Sequence, residues 1–249
     1  MNESNKTLGI IPARFGSTRF PGKPLALIDG KTLIQRTYEN AKKCQALDDL
    51  VVATDDAAIF KHVIHFGGKA VMTSSNCPTG TERLAEVIRN NEGFSEYEAI
   101  INIQGDEPFL ESEVIDQVIQ KLFEDELAVM STAVTKLRSK EEAENSSVNK
   151  CVMDRQGNAL YFSRSLIPSG HTGAWQPNVT YYKHLGIYGY RRDFLLHYAE
   201  LQPTPLQLAE DLEQLKVLEH GFRIKVAIVE SSSIGIDKPE DINKIRHLL

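Results

Sequence analysis

The sequence predicts an α/β protein whose mixed, mainly parallel sheet lies in a three-layer arrangement. Over the first ~130 residues, short apolar runs alternate with helical stretches of about 10–15 residues, which is typical of right-handed βαβ crossovers. Between 129 and 190 the strand-like runs follow one another closely, and this spacing predicts an antiparallel portion of the sheet. A chain of 249 residues with 41% apolar and 25% charged residues has an ordinary globular composition.

The first half of the chain alternates strands and helices. Asp55 and Asp56 suit a helix N-terminus, and Gly67-Gly68 suits a helix end. We expect strands at 8–11, 50–54, 69–73 and 99–103, and helices over about 31–43, over 57–66 and up to about Arg89.

The second half begins with the closely spaced strands. We expect them at 129–135, 151–154, 159–163 and 181–190, then a helix over 206–219 with four leucines on one face, a strand at 223–230 and a terminal helix from 238. Because no linker, repeat or low-complexity tract interrupts the sequence, we expect a single domain over 1–249. Within it, 129–190 forms the approximate extent of an antiparallel subdomain.

Composition excludes several classes of function. A net charge of -6 argues against a protein that binds nucleic acid through clustered cations. No apolar run approaches the length of a membrane helix or a signal peptide. The three cysteines have neither disulfide nor zinc spacing, so we expect reduced thiols in a cytoplasmic protein without membrane partners.

The loop after the first strand is the strongest functional signal. It contains Arg14, Arg19 and Lys23 together with Ser17 and two glycines. Backbone N–H groups and cations directly after a buried strand are what a polyphosphate requires. The spacing matches neither the P-loop nor the dinucleotide fingerprint. The alternative is a solvated basic loop.

Two carboxylates are candidates for a divalent cation. Asp106 follows the strand at 99–103, and ligands of open α/β sheets bind beyond the carboxyl ends of strands. Asp237 precedes the last helix. Both have an ordinary alternative role, because an aspartate in a turn or before a helix commonly caps backbone donors.

Other polar groups give weaker signals. Gly80 and Arg83 lie at a helix start, and strand alternation places His184, Tyr188 and Tyr190 on one face. The alternative for His184 is a purely structural role. The alternative for the acidic cluster in the helix over 206–219 is a solvated helix face.

Eight segments, in order and over nearly the whole chain, resemble the 3-deoxy-manno-octulosonate cytidylyltransferase family. The opening segment is shared by several sugar nucleotidyltransferases, whereas QGDEP, LYFSR and HLGIYGY are more specific. The segments are IIPARFGSTRFPGKPL from 10, ATDD at 53–56, SNCPTGTERL at 75–84, NIQGDEP at 102–108, ALYFSRSLIP at 159–168, HLGIYGY at 184–190, LEQLKVLEHG at 212–221 and IDKPED at 236–241.

The resemblance implies a nucleotide-diphospho-sugar transferase fold, with 129–190 as a dimerisation subdomain. It implies transfer of CMP from CTP to the anomeric hydroxyl of 3-deoxy-D-manno-octulosonate (Kdo), with release of pyrophosphate. It also implies Mg²⁺ as cofactor and a cytoplasmic homodimer that serves lipopolysaccharide synthesis.

The resemblance further implies roles for individual residues. Arg14, Ser17, Arg19 and Lys23 would hold the triphosphate; Gly80, Arg83 and Gln104 would belong to the cytosine and ribose site; Asp106 and Asp237 would bind magnesium; and Arg164, His184, Tyr188, Glu213 and Gln214 would surround the sugar acid, with Arg164 at its carboxylate.

The implied chemistry, in-line attack on the α-phosphorus, depends on positioning and charge neutralisation, so we expect no Ser or Cys nucleophile. The alternatives are a cytidylyltransferase for the 8-amino analogue of Kdo or for sialic acid, and a non-catalytic module that binds CTP or a phosphosugar. The sequence departs from the family pattern at Asn149, where an apolar residue is usual, and at Lys238, where Thr is common.

Overall fold

The structure is a computed structural model that describes residues 5–16, 20–231, 233, 235–236 and 238–242. The chain forms two compact units, one of residues 1–116 with 231–249 and one of residues 117–230. The stretch 129–190 lies inside the second unit. The single domain over 1–249 and the role of 129–190 in dimerisation stay predictions. Each unit is described by itself below.

The first unit contains a parallel four-stranded sheet in the order β6-β1-β4-β5. Apolar side chains of β1 and β4 are fully buried in it, which explains why these strands have continuous rather than alternating apolar runs. The strands are β1 Thr7–Ala13, β2 Leu27–Ile28, β3 Lys31–Thr32, β4 Asp49–Thr54, β5 Ala70–Met72 and β6 Ala99–Asn102.

The helices of this unit begin at recognisable caps. Asp56 accepts hydrogen bonds from two backbone N–H groups of α2, and Thr79 and Glu82 form a capping box at the start of α3. The helix expected from residue 31 starts instead at Leu33, because Lys31 and Thr32 pair with β2 in a short hairpin. The helices are α1 Leu33–Ala41, α2 Ala57–His65, α3 Gly80–Asn90 and α4 Ser112–Glu124, and α4 contains the boundary between the units.

The second unit confirms the expected antiparallel strands. Strand β10 pairs antiparallel with β7 and β8, β8 pairs antiparallel with β9, and β11 runs parallel to β7. The α/β class with a mainly parallel sheet and an antiparallel portion is therefore confirmed. The strands are β7 Ala128–Lys136, β8 Lys150–Met153, β9 Ala159–Ser163, β10 Tyr182–Arg191 and β11 Arg223–Ile228.

The single helix expected over 206–219 is wrong. Asp211 has a left-handed backbone (φ 53°) and ends one helix, and a second helix begins at Glu213. Leu212 and Leu215 are buried as expected, but Leu208 is exposed because it lies on the first helix and outside the common face. The helices of this unit are α5 Lys140–Glu144, α6 Arg192–Tyr198, α7 Pro205–Glu210 and α8 Glu213–Glu219.

Cys44, Cys77 and Cys151 are free thiols, as expected. Over the described residues, no helix has the length and apolar character needed to cross a membrane. Most of the terminal helix expected from 238 lies outside the described residues, which show helix only at Asp241 and Ile242.

Candidate active site

The loop after β1 folds back on itself before it reaches Lys23. The Gly22 N–H donates to the Phe15 carbonyl oxygen at 3.1 Å, and Gly22 has a left-handed backbone (φ 69°) that glycine adopts without strain. Arg14 is exposed at the start of this loop. Ser17 and Arg19 lie outside the described residues.

Lys23 contacts the acidic group that follows β6. Its Nζ lies 2.7 Å from Oδ2 of Asp106, and the aspartate side chain is one-third exposed. The two residues are 83 positions apart and meet because β1 and β6 are parallel neighbours whose carboxyl ends share one edge of the sheet. The structure thus brings together one predicted phosphate-binding cation and one predicted magnesium ligand.

The segment before Asp237 is tied to the same place. The backbone N–H of Ile236 donates to the backbone carbonyl of Asp106 at 2.9 Å, and the Ser233 hydroxyl donates to the Glu107 carboxylate at 3.1 Å. Ile236 is also buried in a small apolar cluster with Ile28. Asp237 itself lies outside the described residues. The residue before it, Ile236, is the one that contacts Asp106.

Two glycines allow the backbone to approach the end of β1 closely. A Cβ at Gly105 would lie 3.1 Å from the Pro12 carbonyl oxygen, and one at Gly80 would lie 3.3 Å from the Pro12 ring. A side chain at either position would therefore push the loop after β6 or the start of α3 away from the strand. Gly80 thus places the N-terminus of α3 at the carboxyl edge of the sheet.

Arg83 is buried, and its guanidinium is already engaged within the protein. It forms an ion pair with Asp55 at 3.0 Å and donates to the Thr73 hydroxyl and to the Ser74 carbonyl. These contacts join α3 to the ends of β4 and β5. Gln104 donates to the side-chain oxygen of Asn102 at 3.2 Å. Arg83 therefore anchors the start of α3 to the ends of β4 and β5.

The donor set fits magnesium without forming a complete protein cage. Among the described residues, no group of three or more His, Cys, Asp or Glu side chains is arranged to hold a metal ion. Magnesium needs only one or two carboxylates when phosphate oxygens and waters complete its octahedron. Asp106 offers one partly exposed carboxylate of this kind, beside a cation suited to the same phosphates.

In the second unit, His184 is buried and its tautomer follows from its partner. Its Nε2 lies 2.9 Å from the Thr132 hydroxyl, and that hydroxyl lies 2.7 Å from the Ile187 carbonyl oxygen. Because the carbonyl can only accept, the hydroxyl proton goes to it, and Nε2–H of His184 donates to Thr132. Burial lowers the pKa of His184 to about 3, so the ring is neutral and its Nδ1 carries the lone pair.

Tyr188 and Gln214 are brought into contact with this histidine. The Tyr188 and His184 ring centroids are 5.4 Å apart, and the Tyr188 hydroxyl donates to Oε1 of Gln214 at 3.3 Å. Gln214 is 1% exposed, and its Nε2 is buried without a hydrogen-bond partner among the described residues. Glu213 precedes it at the start of α8 and is half-buried. Three of the five predicted sugar-binding residues thus form one connected group.

Arg164 is fixed by a different set of contacts, at the end of α7. Its Nε donates to the carbonyl of Glu210 at 2.7 Å and its Nη2 to the carbonyl of Asp211 at 3.2 Å. The Glu210 carboxylate in turn accepts from the Arg164 backbone N–H and the Ser163 hydroxyl. Arg164 therefore orients the α7–α8 connection immediately before Glu213 and Gln214.

The sequence reasoning missed Thr132 and Lys150, and it placed Glu210 only on a solvated helix face. Thr132 fixes the His184 tautomer, Glu210 holds Arg164, and Lys150 donates to the carbonyls of Asn145 and Val148 at 2.9 and 2.6 Å and to that of Arg164. A buried-strand Thr or Lys is a weak signal in sequence, because its partner is visible only once the strands are paired.

Comparison with known proteins agrees with this geometry. Residues 8–228 match a family model described as "Cytidylyltransferase". The chain is 59% identical to a 3-deoxy-manno-octulosonate cytidylyltransferase of Protochlamydia amoebophila (strain UWE25), covering 99% of this chain and 95% of that protein. The chain belongs to the 3-deoxy-manno-octulosonate cytidylyltransferase family. The resemblance found in the sequence motifs is thereby confirmed.

Other members of the family and solved structures support the same assignment. The 3-deoxy-manno-octulosonate cytidylyltransferase of Chlamydia caviae is 49% identical over 99% of this chain and 94% of that protein. A structure of CMP:2-keto-3-deoxy-manno-octonic acid synthetase complexed with CTP has a TM-score of 0.91 and 39% identity, with 98% of both chains covered. A 4-diphosphocytidyl-2C-methyl-D-erythritol synthase of Anaerococcus prevotii, at 16% identity and a TM-score of 0.65 over 99% of each chain, shares the fold.

Proposed function

We propose that the protein transfers CMP from CTP to the anomeric hydroxyl of Kdo, giving CMP-Kdo and pyrophosphate. The observation that carries the proposal is the Lys23–Asp106 pair at the carboxyl edge of the parallel sheet, in a member of this family. A cation and a carboxylate held side by side suit a triphosphate and the divalent cation that accompanies it.

The first unit would hold the nucleotide. Lys23 and Arg14, with Arg19 and Ser17, would bind the β- and γ-phosphates and neutralise the charge that develops on pyrophosphate as it leaves. The N-terminus of α3 at Gly80, anchored by Arg83, and Gln104 would contact the nucleoside. These assignments rest on the resemblance and on the geometry of the loop.

Asp106 and Asp237 would hold Mg²⁺, and the hydrogen bond between Ile236 and Asp106 supports this pairing. Bound there, the ion would orient the phosphates and lower the pKa of the attacking hydroxyl. The ammonium of Lys23 balances the charge of Asp106 before the substrate arrives, and it would contact the same phosphates.

The second unit would hold the sugar acid. Arg164 would face the carboxylate, where a guanidinium offers two parallel donors. His184, fixed by Thr132, would present Nδ1 as an acceptor for a sugar hydroxyl, and Gln214 would offer its buried Nε2 as a donor. Tyr188 and Glu213 would complete the contacts. In-line attack requires no covalent intermediate, so no Ser or Cys nucleophile takes part.

We also propose that the protein is a cytoplasmic homodimer. Support comes from the family resemblance, which implies both properties. A homodimer would also cover some of the large apolar side chains that are exposed on the second unit. They are Leu127, Leu160, Leu206, Leu208 and Ile228.

Pyrophosphate release from CTP and Mg²⁺ tests the activity, with Kdo, its 8-amino analogue and N-acetylneuraminate measured side by side. Kdo should give the largest kcat/KM, and replacement of Mg²⁺ by chelator should abolish release. A larger kcat/KM with the 8-amino analogue or N-acetylneuraminate would reassign the sugar. Binding of CTP without release from any sugar acid would favour a non-catalytic module.

A further inference from the structure

We propose that Asn149 determines sugar specificity by accepting a hydrogen bond from a hydroxyl or ammonium group of the sugar acid. The proposal rests on the proposed function, because it extends the sugar-binding group around His184. It concerns a residue that belongs to none of the contacts assigned above.

The strand register places Asn149 next to His184. Lys183 of β10 pairs with Lys150 of β8, so the preceding residue Asn149 lies directly opposite His184. The backbone N–H of His184 donates to the Asn149 carbonyl at 2.8 Å, which confirms this position. Directly opposed residues of an antiparallel pair point to the same face, with Cβ atoms about 4.5–5.5 Å apart. Asn149 therefore projects on the face that carries the histidine ring.

The same register defines the rest of this face. Cys151 is opposed by Phe162, whose ring lies 5.0 Å from that of His184, while Lys150 points to the opposite face. Asn149 thus borders a surface of aromatic rings, and its neighbour Lys150 serves the separate Arg164 network.

The side-chain oxygen of Asn149 is buried and has no hydrogen-bond partner in the described part of the chain. Leaving a buried polar atom unpaired costs about 1–3 kcal/mol. Nε2 of Gln214, a residue of α8 that contacts Tyr188, also has no partner among the described residues, and the tautomer of His184 leaves Nδ1 as a lone-pair acceptor. The second unit thus offers two acceptors and one donor that a polyhydroxylated ligand can satisfy.

An acceptor at this position selects for a ligand that carries a donor. A site built to bind a hydroxyl or amine discriminates strongly against an analogue that lacks it, because its own polar atom then stays unpaired.

The test compares Asn149→Val with Asn149→Thr in the full-length protein, because these side chains have the same shape and only threonine retains an oxygen. For N149V we expect the KM for Kdo to rise about 5- to 10-fold, with the KM for CTP within about two-fold. N149T should lie closer to the wild type. The Tm of ligand-free N149V should rise by about 2–4 °C, because an unpaired buried atom is removed. Asn145→Ser, in an exposed turn, is the matched control.

An unchanged KM for Kdo in N149V would overturn the proposal. Equal increases in the KM values for Kdo and CTP, together with a lower Tm, would also overturn it, because a purely structural residue would give that result. The proposed function fails separately if the wild type releases no pyrophosphate with any sugar acid. In that case calorimetric titration with Kdo decides the matter: weaker binding by N149V than by the wild type supports the role of Asn149, and equal or absent binding overturns it.

Discussion

The Nζ of Lys150 donates a hydrogen bond to the backbone carbonyl of Arg164, although the lysine is completely buried. Burial lowers the pKa of this ammonium, yet its three donors all reach carbonyl oxygens. Both backbone polar groups of Arg164 are thus hydrogen-bonded: its carbonyl accepts from Lys150 and its N–H donates to Glu210. Lys150 therefore links the loop before β8 to the end of β9 through hydrogen bonds to backbone carbonyls.

Removal of the Lys150 ammonium should lower the stability of the protein. Lys150→Met keeps the length of the side chain but removes a buried donor shared by three backbone carbonyls, so we expect the free energy of unfolding to fall by about 2–4 kcal/mol. Urea denaturation of K150M and of Lys140→Met, an exposed lysine on α5, measures the difference. Equal losses in the two variants would mean that the Lys150 contacts contribute nothing.

Asp106→Asn should reduce turnover by about 100-fold or more, because an amide is a poor magnesium ligand and no longer pairs with Lys23. The fold should survive, since the carboxylate is partly exposed. Steady-state kinetics and circular dichroism check both expectations. The control is Asp29→Asn, which alters an exposed aspartate of the same unit. Near-normal turnover of D106N would remove Asp106 from the metal site.

Arg164→Ala should raise the KM for Kdo far more than the KM for CTP. The variant loses both the proposed carboxylate contact and the hydrogen bonds that orient the α7–α8 connection before Gln214. Initial rates at varied Kdo and varied CTP separate the two constants. Arg138→Ala removes an exposed arginine paired with Glu230 and should change neither. Equal effects of R164A on both substrates would contradict the assignment to the sugar.

His184 makes stability depend on pH. Its pKa is about 3 in the folded protein and near 6.5 when exposed, so the unfolded chain binds the extra proton below pH 6.5. The free energy of unfolding should therefore fall as the pH drops from about 6.5 towards 3, with a contribution from this group of up to about 1.4 kcal/mol per unit. Denaturation of His184→Gln over this range should show a shallower slope than that of the wild type. The exposed variant His171→Gln should keep the wild-type slope.

Cys77 should be dispensable for turnover. Burial and the Glu86 carboxylate, whose Oε2 lies 2.8 Å from Sγ, raise the pKa of this thiol to about 11. The fraction of nucleophilic thiolate at neutral pH is therefore very small. Cys77→Ser should retain near-wild-type kcat, and iodoacetamide at pH 7.5 should label the native protein slowly. A loss of kcat without a change in Tm would reveal a catalytic role.

Local sequence patterns predicted the strands well because buried parallel strands have continuous apolar runs. The break at Asp211 was not predictable, since the leucine spacing continues through it and a left-handed backbone at Asp has no unique signature. Helix α4 was not predicted, although its apolar residues have helical spacing. These residues are Val114, Ile115, Val118, Ile119 and Leu122, and all are buried.

The candidate site could likewise be predicted from the sequence only in part. The proximity of Lys23 and Asp106 follows from the rule that parallel strands end at one edge of a sheet, so it could be expected from the sequence. The partners of His184 and Arg164 depend on which strands pair and at which register. The contacts of Thr132, Lys150 and Glu210 were therefore evident only from the structure.

The first unit is encoded in two pieces, and this affects how the protein is made. Every strand of its parallel sheet is complete by Asn102, but Ser233 and Ile236 reach Asp106 and Glu107 only after the whole second unit has been synthesised. A nascent chain that ends at Glu230 therefore contains Lys23 and Asp106 without the segment that adjoins them. The proposed metal and nucleotide site should thus be complete only after the segment that follows the second unit has been synthesised.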